Sequence, residues 1–375
     1  MVGKHPAQEL HEFGSGQDRV PVLVSIYGSS IEVDVMAFGV GLSIGTVNTV
    51  CATAADRAGK YPPGRRGAPP TTWRTTLTFD SSGTARVGRI PRHGRVITEF
   101  ADLTQRAAPV ARVGHRALSA ADLIATVANS VLEEVLGKAP AGQGSRPDTG
   151  IAVTHPAGYS ANLVTDLRTA LDGVGLGRAE LLAEPIAAAT WLQAQRGPLM
   201  PGLALVYDLG GSGLDVTLVR VGAGAPSNPI VGIPQHSADF GGRAFGGLVA
   251  GKLRRAPDGP VVSRVVDDAG AGELRTEHIT ASLKLVYRCL RIADVTMADV
   301  DRVLVVGGAA RPPEVAQVLA EQLARPVTVA PDPERTIADG AAIAARQSVL
   351  AQDSAAHRHH VLADLFRRVT RVAAL

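Results

Sequence analysis

Two glycine-rich segments carry the residue types most able to do chemistry: Gly41-Leu-Ser-Ile-Gly-Thr-Val-Asn-Thr49 and Asp208-Leu-Gly-Gly-Ser-Gly-Leu-Asp-Val216. Glycine turns of this kind present backbone N–H groups with no Cβ in the way, so they can approach an anion closely. Two such turns, one in each half of the chain, could grip a polyphosphate from both sides. The candidate binding positions are Gly45 and Thr46 in the first turn, and Gly210, Gly211, Ser212 and Gly213 in the second. Taken singly, each turn is equally well an ordinary tight hairpin. No G-x-x-x-x-G-K-S/T occurs, and Gly39-x-Gly41-x-x-x-Gly45 is one residue too long for the dinucleotide fingerprint.

The elements that must position these turns alternate between strand and helix, which makes the class α/β. Val22–Tyr27 and Ile31–Val40 are strand-like, and a glycine turn leads into a second strand through Val50. Arg57–Pro70 reads as a long loop. Thr75–Phe79 and Ala85–Ile90 form a hairpin around Ser81-Ser82-Gly83. Ser119 caps a helix running to Leu136, with Asp122 at its third position. Ala139–Thr149 is a linker. A strand Ile151–Thr154, a helix Ala161–Leu171 and a short strand Glu180–Ala183 precede a helix opened by Pro185. Leu203–Asp208 and Leu214–Val221 repeat the strand, turn, strand plan. Helices follow from Gly242 and over Ala281–Asp294. The strand Arg302–Val306 leads into a helix from Pro312, then the strand Val327–Ala330 and the helix Ile337–Ser348.

Composition excludes several classes of function. The chain has 375 residues, 45% hydrophobic and 19% charged, as in ordinary globular proteins. Aromatics are 4%, too sparse for a base-stacking surface. The net charge of +3 is matched by the tail alone, where Arg358, Arg367, Arg368 and Arg371 face only Asp364. With no basic stripe elsewhere, no nucleic-acid partner is expected. Cys51 and Cys289 are isolated thiols, and no apolar signal-peptide core precedes Asp18, so a cytoplasmic protein is expected. Val35–Ala55 is uncharged for 21 residues, long enough to span a bilayer. Its glycines and β-branched residues favour two strands instead.

Taken in order, the segments resemble the nucleotide-binding domain of DnaK-type heat-shock chaperones, within the actin and sugar-kinase superfamily. Gly41–Thr49 and Asp208–Val216 are similar to that family's two phosphate loops. Thr154–Tyr159 resembles its Pro-Ala-Tyr segment, and Ala183-Glu-Pro-Ile-Ala-Ala-Ala189 its Asn-Glu-Pro-Thr-Ala-Ala-Ala. Val305-Val-Gly-Gly-Ala-Ala-Arg-Pro-Pro313 resembles the adenosine motif, and Ala338-Asp-Gly-Ala-Ala342 the second connecting helix. The resemblance implies an actin-like ATPase fold of the duplicated ribonuclease H-like kind, with two lobes around a nucleotide cleft. Lobe I is then 35–200, lobe II 201–336, and 337–350 a helix returning to lobe I. Residues 1–34 are an N-terminal extension and 351–375 a tail. Catalytic roles fall on Glu184 and Asp208, with Asp208 also near any Mg²⁺. Adenosine contacts fall on Gly307, Gly308, Arg311, which would stack on the base, and Glu334 near the ribose.

The departures from the family are as informative. Its magnesium-shell Asp and paired threonines correspond to Ser43, Thr46 and Val47. Its phosphate-contacting lysine falls near Ala101 to Arg106, where Asp102 is the best match and Arg106 is the alternative that could reach inward. Its second-loop threonine is Gly213, and its relay arginine Val164, although the switch proline survives as Pro156. Only about 30 residues separate Lys252 from Ala281, so most of the small subdomain of lobe II, including the adenine clamp, is expected to be missing. No client-peptide domain is expected after Ser348. These losses imply weak ATP or ADP binding with reduced or absent hydrolysis, a pseudo-ATPase acting as a scaffold or sensor for an unidentified protein partner. The alternatives are a slow Mg²⁺-dependent ATPase with a chaperone-like role, and an actin-like filament subunit. The tail's apolar stripe (Val361, Leu362, Leu365, Phe366, Val369, Val372) is expected to pack on protein, with a membrane surface as its second reading. His357, His359 and His360 are read as a solvated tail rather than a metal site.

Overall fold

Why the two glycine turns face one cleft follows from a strand order used twice. The computed structural model describes residues 37–55, 71–80, 83–90, 96–105, 111–113, 116–137, 149–255, 268–352 and 354. The expected strand Val22–Tyr27, the start of Ile31–Val40, the loop Arg57–Pro70, Arg106, the linker up to residue 148 and the tail with its histidines lie outside them. In the first lobe, β1 (Phe38–Ile44) folds back on β2 (Asn48–Ala54), which pairs with β3 (Thr72–Arg74). Two small hairpins follow, β4 (Leu77–Phe79) with β5 (Ala85–Val87), and β6 (Ala111–Val113) with β7 (Arg116–Leu118). Then come α1 (Ala120–Leu136), β8 (Thr149–His155), α2 (Ala161–Gly173), β9 (Glu180–Ala183) and α3 (Glu184–Arg196). The second lobe holds β10 (Gly202–Leu209), β11 (Leu214–Val221), β12 (Ile230–Ser237), α4 (Gly242–Arg255) and α5 (Asp268–Ile292). It continues with β13 (Arg302–Val306), α6 (Pro313–Leu323) and β14 (Val327–Val329). A last helix, α7, covers 336–352.

The first sheet runs β3-β2-β1-β8-β9 and the second β12-β11-β10-β13-β14. In each, the first three strands are antiparallel and the last two run parallel to the first. Each half therefore reverses direction beside its first strand, the place where α/β sheets open a crevice for ligands. The described part of the uncharged stretch, 37–55, is the β1–β2 hairpin. Among the described residues no helix is long and apolar enough to cross a membrane.

One core lies under the first sheet and α1, built on Leu42, Phe100, Leu123, Val127 and Leu171. A second joins the other sheet to α5 and α6 through Tyr207, Leu218, Ile279, Val286 and Leu319. Between them runs a third cluster of small side chains, Ala187, Ala188, Ala204, Ala341 and Ala345, sealed by Trp191 and Leu192. Small residues let backbones approach closely here. A Cβ on Gly41 would sit 2.1 Å from the Ala338 carbonyl of α7, and one on Gly340 1.8 Å from that of Ala187 in α3. Cys51 and Cys289 are buried, free thiols whose pKa values burial pushes up to about 12 and about 11.

Many element boundaries match the sequence reading; strands β3, β6 and β7 were not expected, and three further corrections follow. The first turn is only Gly45-Thr46-Val47, because Gly39 and Gly41 lie inside β1, where α7 crosses it. Helix α5 begins at Asp268 rather than Ala281; Gly270 and Gly272 disguise its first turns, which the Arg275–Glu314 ion pair (2.9 Å) ties to α6. Strand β12 was not expected, since Gly232 and Pro234 interrupt its pattern. Gly232 (φ +69°) permits it by lying against Ala293, which a Cβ would meet at 2.7 Å.

The cap of α1 is as the sequence predicts. Ser119 Oγ accepts from the Asp122 N–H at 3.1 Å, and Asp122 Oδ2 accepts from the Ser119 N–H at 2.8 Å. Removing a reciprocal cap leaves helix N–H groups without partners. Ser119→Ala is expected to lower stability by about 1 kcal/mol in a urea melt.

Candidate functional site

The chemistry is concentrated in a row of side chains across the second sheet. Asp208 on β10 lies opposite Asp215 on β11, and Asp215 lies opposite His236 on β12. Directly opposed residues project from the same face of a sheet, so the three line up across it. His236 Nδ1 lies 3.1 and 3.2 Å from the two Asp215 carboxylate oxygens. The corresponding row of the first sheet is Ser43, Val50 and Thr72, all uncharged. The duplicated architecture is thus chemically one-sided.

A cavity of about 690 Å³ opens over this row. Its walls include every site position anticipated from the sequence: Gly45 and Thr46, Gly210 through Gly213, Gly307, Gly308 and Arg311, with Glu184, Asp208 and Glu334. Asp215, His236, Asp102, Tyr159 and Asn48 join them. Glu184 comes from the first turn of α3, whose N-terminus Pro185 pre-forms.

The carboxylates are crowded, half-buried and open mainly to the cavity. Burial and the neighbouring Asp215 push the Asp208 carboxyl up to about 7. Burial, then Asp208 and Asp215, raise Glu184 well above the ordinary carboxylate range. His236 moves the other way in charge: its bond to Asp215 favours the imidazolium against the opposing effect of burial. Asp102 lines the same space, its Oδ1 accepting from the Thr104 N–H at 2.9 Å. The Tyr159 hydroxyl fixes that segment, accepting from the Leu103 N–H at 3.0 Å and donating to the Ala101 carbonyl at 3.3 Å.

The two glycine turns meet across the cavity. Thr46 Oγ1 donates to Ser212 Oγ at 2.9 Å, and a Cβ on Gly211 would meet Val47 Cγ2 at 2.3 Å. At the other end Glu334 accepts from Asn48 Nδ2 at 2.5 Å and pairs with Arg311 at 2.6 Å. Arg311 is held also by Asp332 at 3.0 Å. Its guanidinium is fixed by carboxylates, with half its surface open to solvent. Gly307 is required by the protein's own packing: it adopts φ +95° with the Leu209 carbonyl 2.4 Å from where a Cβ would stand. At Gly308 a Cβ would lie 3.1 Å from Glu334 Oε1.

Among the described residues no three His, Cys, Asp or Glu side chains converge closely enough to hold a metal ion. With Ser43 neutral, this donor set fits a magnesium ion only where phosphate and water supply most ligands and Asp208 is the neighbouring carboxylate.

Sequence reasoning overlooked Asp215 and His236. Asp208 and Asp215 stand at equal distances from the turn Gly210–Gly213, which is the signature of a facing pair in a hairpin. His236 had no such signal, because it sits on the unexpected strand β12.

Comparison with known proteins agrees with this architecture. The family model for the Hsp70 protein matches residues 261–367. The chaperone protein HscA of Pectobacterium atrosepticum is 28% identical over 252 residues, 58% of this chain and 40% of its own length. HscA homologues of Methylobacillus flagellatus and Chromobacterium violaceum are each 27% identical, over 234 and 255 residues, or 52% and 58% of this chain and 37% and 40% of theirs. The matched stretch thus spans about two fifths of these relatives. With both sheets wound in one order about a shared cleft, the chain has the two-lobed actin-like ATPase fold, and its sequence is similar to the Hsp70 protein family over residues 261–367 and to these HscA chaperones.

Proposed function

We propose that the cleft binds ATP or ADP weakly, with hydrolysis reduced or absent, and that the domain serves a protein partner as a nucleotide-responsive scaffold or sensor. The observation that carries this reading is the meeting of the two glycine turns, Thr46 with Ser212, over a cavity large enough for a nucleotide. Backbone N–H groups of these turns favour phosphate, while Arg311 and Glu334 sit where the family resemblance puts adenosine. Magnesium bound with the nucleotide would neutralise phosphate charge beside Asp208. Phosphoryl transfer relies on positioned charge, and Ser43, Val50 and Asp102 supply none that is positive.

A second reading, slow ATP hydrolysis, is favoured by one observation. Asp208 lines the cavity opposite Asp215, and burial together with that neighbour pushes its carboxyl up to about 7, suited to accepting a proton at neutral pH. Calorimetry and thermal melts with ATP and ADP, each with and without magnesium, test the binding. A nucleotide at about a hundred times its Kd is expected to stabilise the fold by about 2.7 kcal/mol. No shift at millimolar nucleotide would sink the proposal. Turnover in a phosphate-release assay, abolished in Asp208→Asn, would replace the first reading by the second.

A further inference from the structure

We propose that His236 is the residue that supplies positive charge to the phosphate end of this cleft, its Nε2–H donating to a phosphate oxygen of the bound nucleotide. The inference rests on the nucleotide-binding reading above and assigns a role to a residue which that reading does not use.

Charge makes the need plain. Asp102, Glu184, Asp208, Asp215 and Glu334 line the cavity, against two arginines that are already engaged. Arg311 is paired with Asp332 and Glu334, and Arg243 with Glu99 at 3.1 Å. Two facing carboxylates on the cavity floor repel a polyphosphate unless something offsets them. Among the described residues His236 is the remaining basic side chain on the wall.

Its placement suits the task. Asp215 holds Nδ1, which orients the ring and leaves Nε2 with no hydrogen-bond partner among the described residues. That edge of the ring lies against the second glycine turn. A Cβ on Gly213 would stand 2.6 Å from His236 Cε1 and 3.2 Å from Nε2. The missing side chain at 213 and the imidazole therefore occupy one space: glycine there is what admits the ring beside the turn's N–H groups. A donor carried by a strand and fixed by a carboxylate is pre-organised for an anion, and charge-assisted bonds of this kind are strong. The groups facing the ring are Asp215 from β11 and Asp102 from the segment after Phe100; both favour its charged form.

The test is calorimetric binding of ATP and of adenosine to the whole chain near pH 7, with and without magnesium, for the wild type and His236→Gln. Gln keeps a donor and loses the charge. The variant is expected to weaken ATP about tenfold and leave adenosine unchanged, with its unliganded melting temperature showing that it folds. Unaltered ATP affinity in His236→Gln would overturn the assignment while the nucleotide reading stands. Equal losses for ATP and adenosine would also overturn it, giving His236 a structural part only. A wild type that binds no ATP would remove the nucleotide reading, and this assignment with it.

Discussion

A Gly340→Val variant is expected to lose about 3–5 kcal/mol of folding stability, a large part of the 5–15 kcal/mol typical of a domain. Gly340 lies on α7 where it crosses α3, and a Cβ there would stand 1.8 Å from the Ala187 carbonyl and 3.2 Å from the Trp191 amide. A backbone carbonyl cannot swing away as a side-chain tip can, so the helices must separate and open the alanine seam between the lobes. Val is also β-branched and adds two methyl groups to a space that holds none. The matched control is Gly246→Ala on α4, where a Cβ meets nothing within 4 Å. That change is expected to add about 0.5–1 kcal/mol by removing a helix glycine. Urea unfolding of both variants checks the contrast. A small effect at Gly340 would mean that the two helices do not approach as described.

Asp208→Asn is expected to stabilise the nucleotide-free protein above pH 7 and to have little effect near pH 4. The folded carboxyl holds its proton up to about 7, while an unfolded Asp releases it near 3.8. Between those values the native state binds more protons than the unfolded chain, so this group's contribution falls as pH rises through the window. Below it the contribution is intact; above it the folded protein carries an ionised carboxylate beside Asp215. Moving a carboxyl that far corresponds to about 4 kcal/mol between its two forms, and water in the cavity reduces this to about 2 kcal/mol. Glu184 shifts in the same direction, so a residual slope remains in the variant. Stability curves of both proteins from pH 4 to 8, in metal-chelated buffer, give the difference directly. A difference independent of pH would show that Asp208 ionises normally.

Both effects arise where the architecture crowds groups that the sequence keeps far apart, and this separates what was legible from what was not. Hydrophobic alternation, the Ser119 cap, Pro185 and the glycine turns are local signals, and they located β8 through β11, β13, α1 to α3 and the duplicated plan. Ordered similarity to chaperone segments pointed to the fold and to the positions that line the cavity. Each of these depends on residues within one turn or one strand, where backbone preference and side-chain period act directly. The row Asp208, Asp215 and His236 is different in kind. Its members meet only through the pairing of β10, β11 and β12, and β12 is allowed by Ala293 packing against Gly232 rather than by its own propensity. Likewise the sequence showed glycines at 39, 41 and 340 without revealing why. Only the crossing of α7 over β1 and α3 makes them necessary, because steric exclusion between backbones is a property of the packed chain.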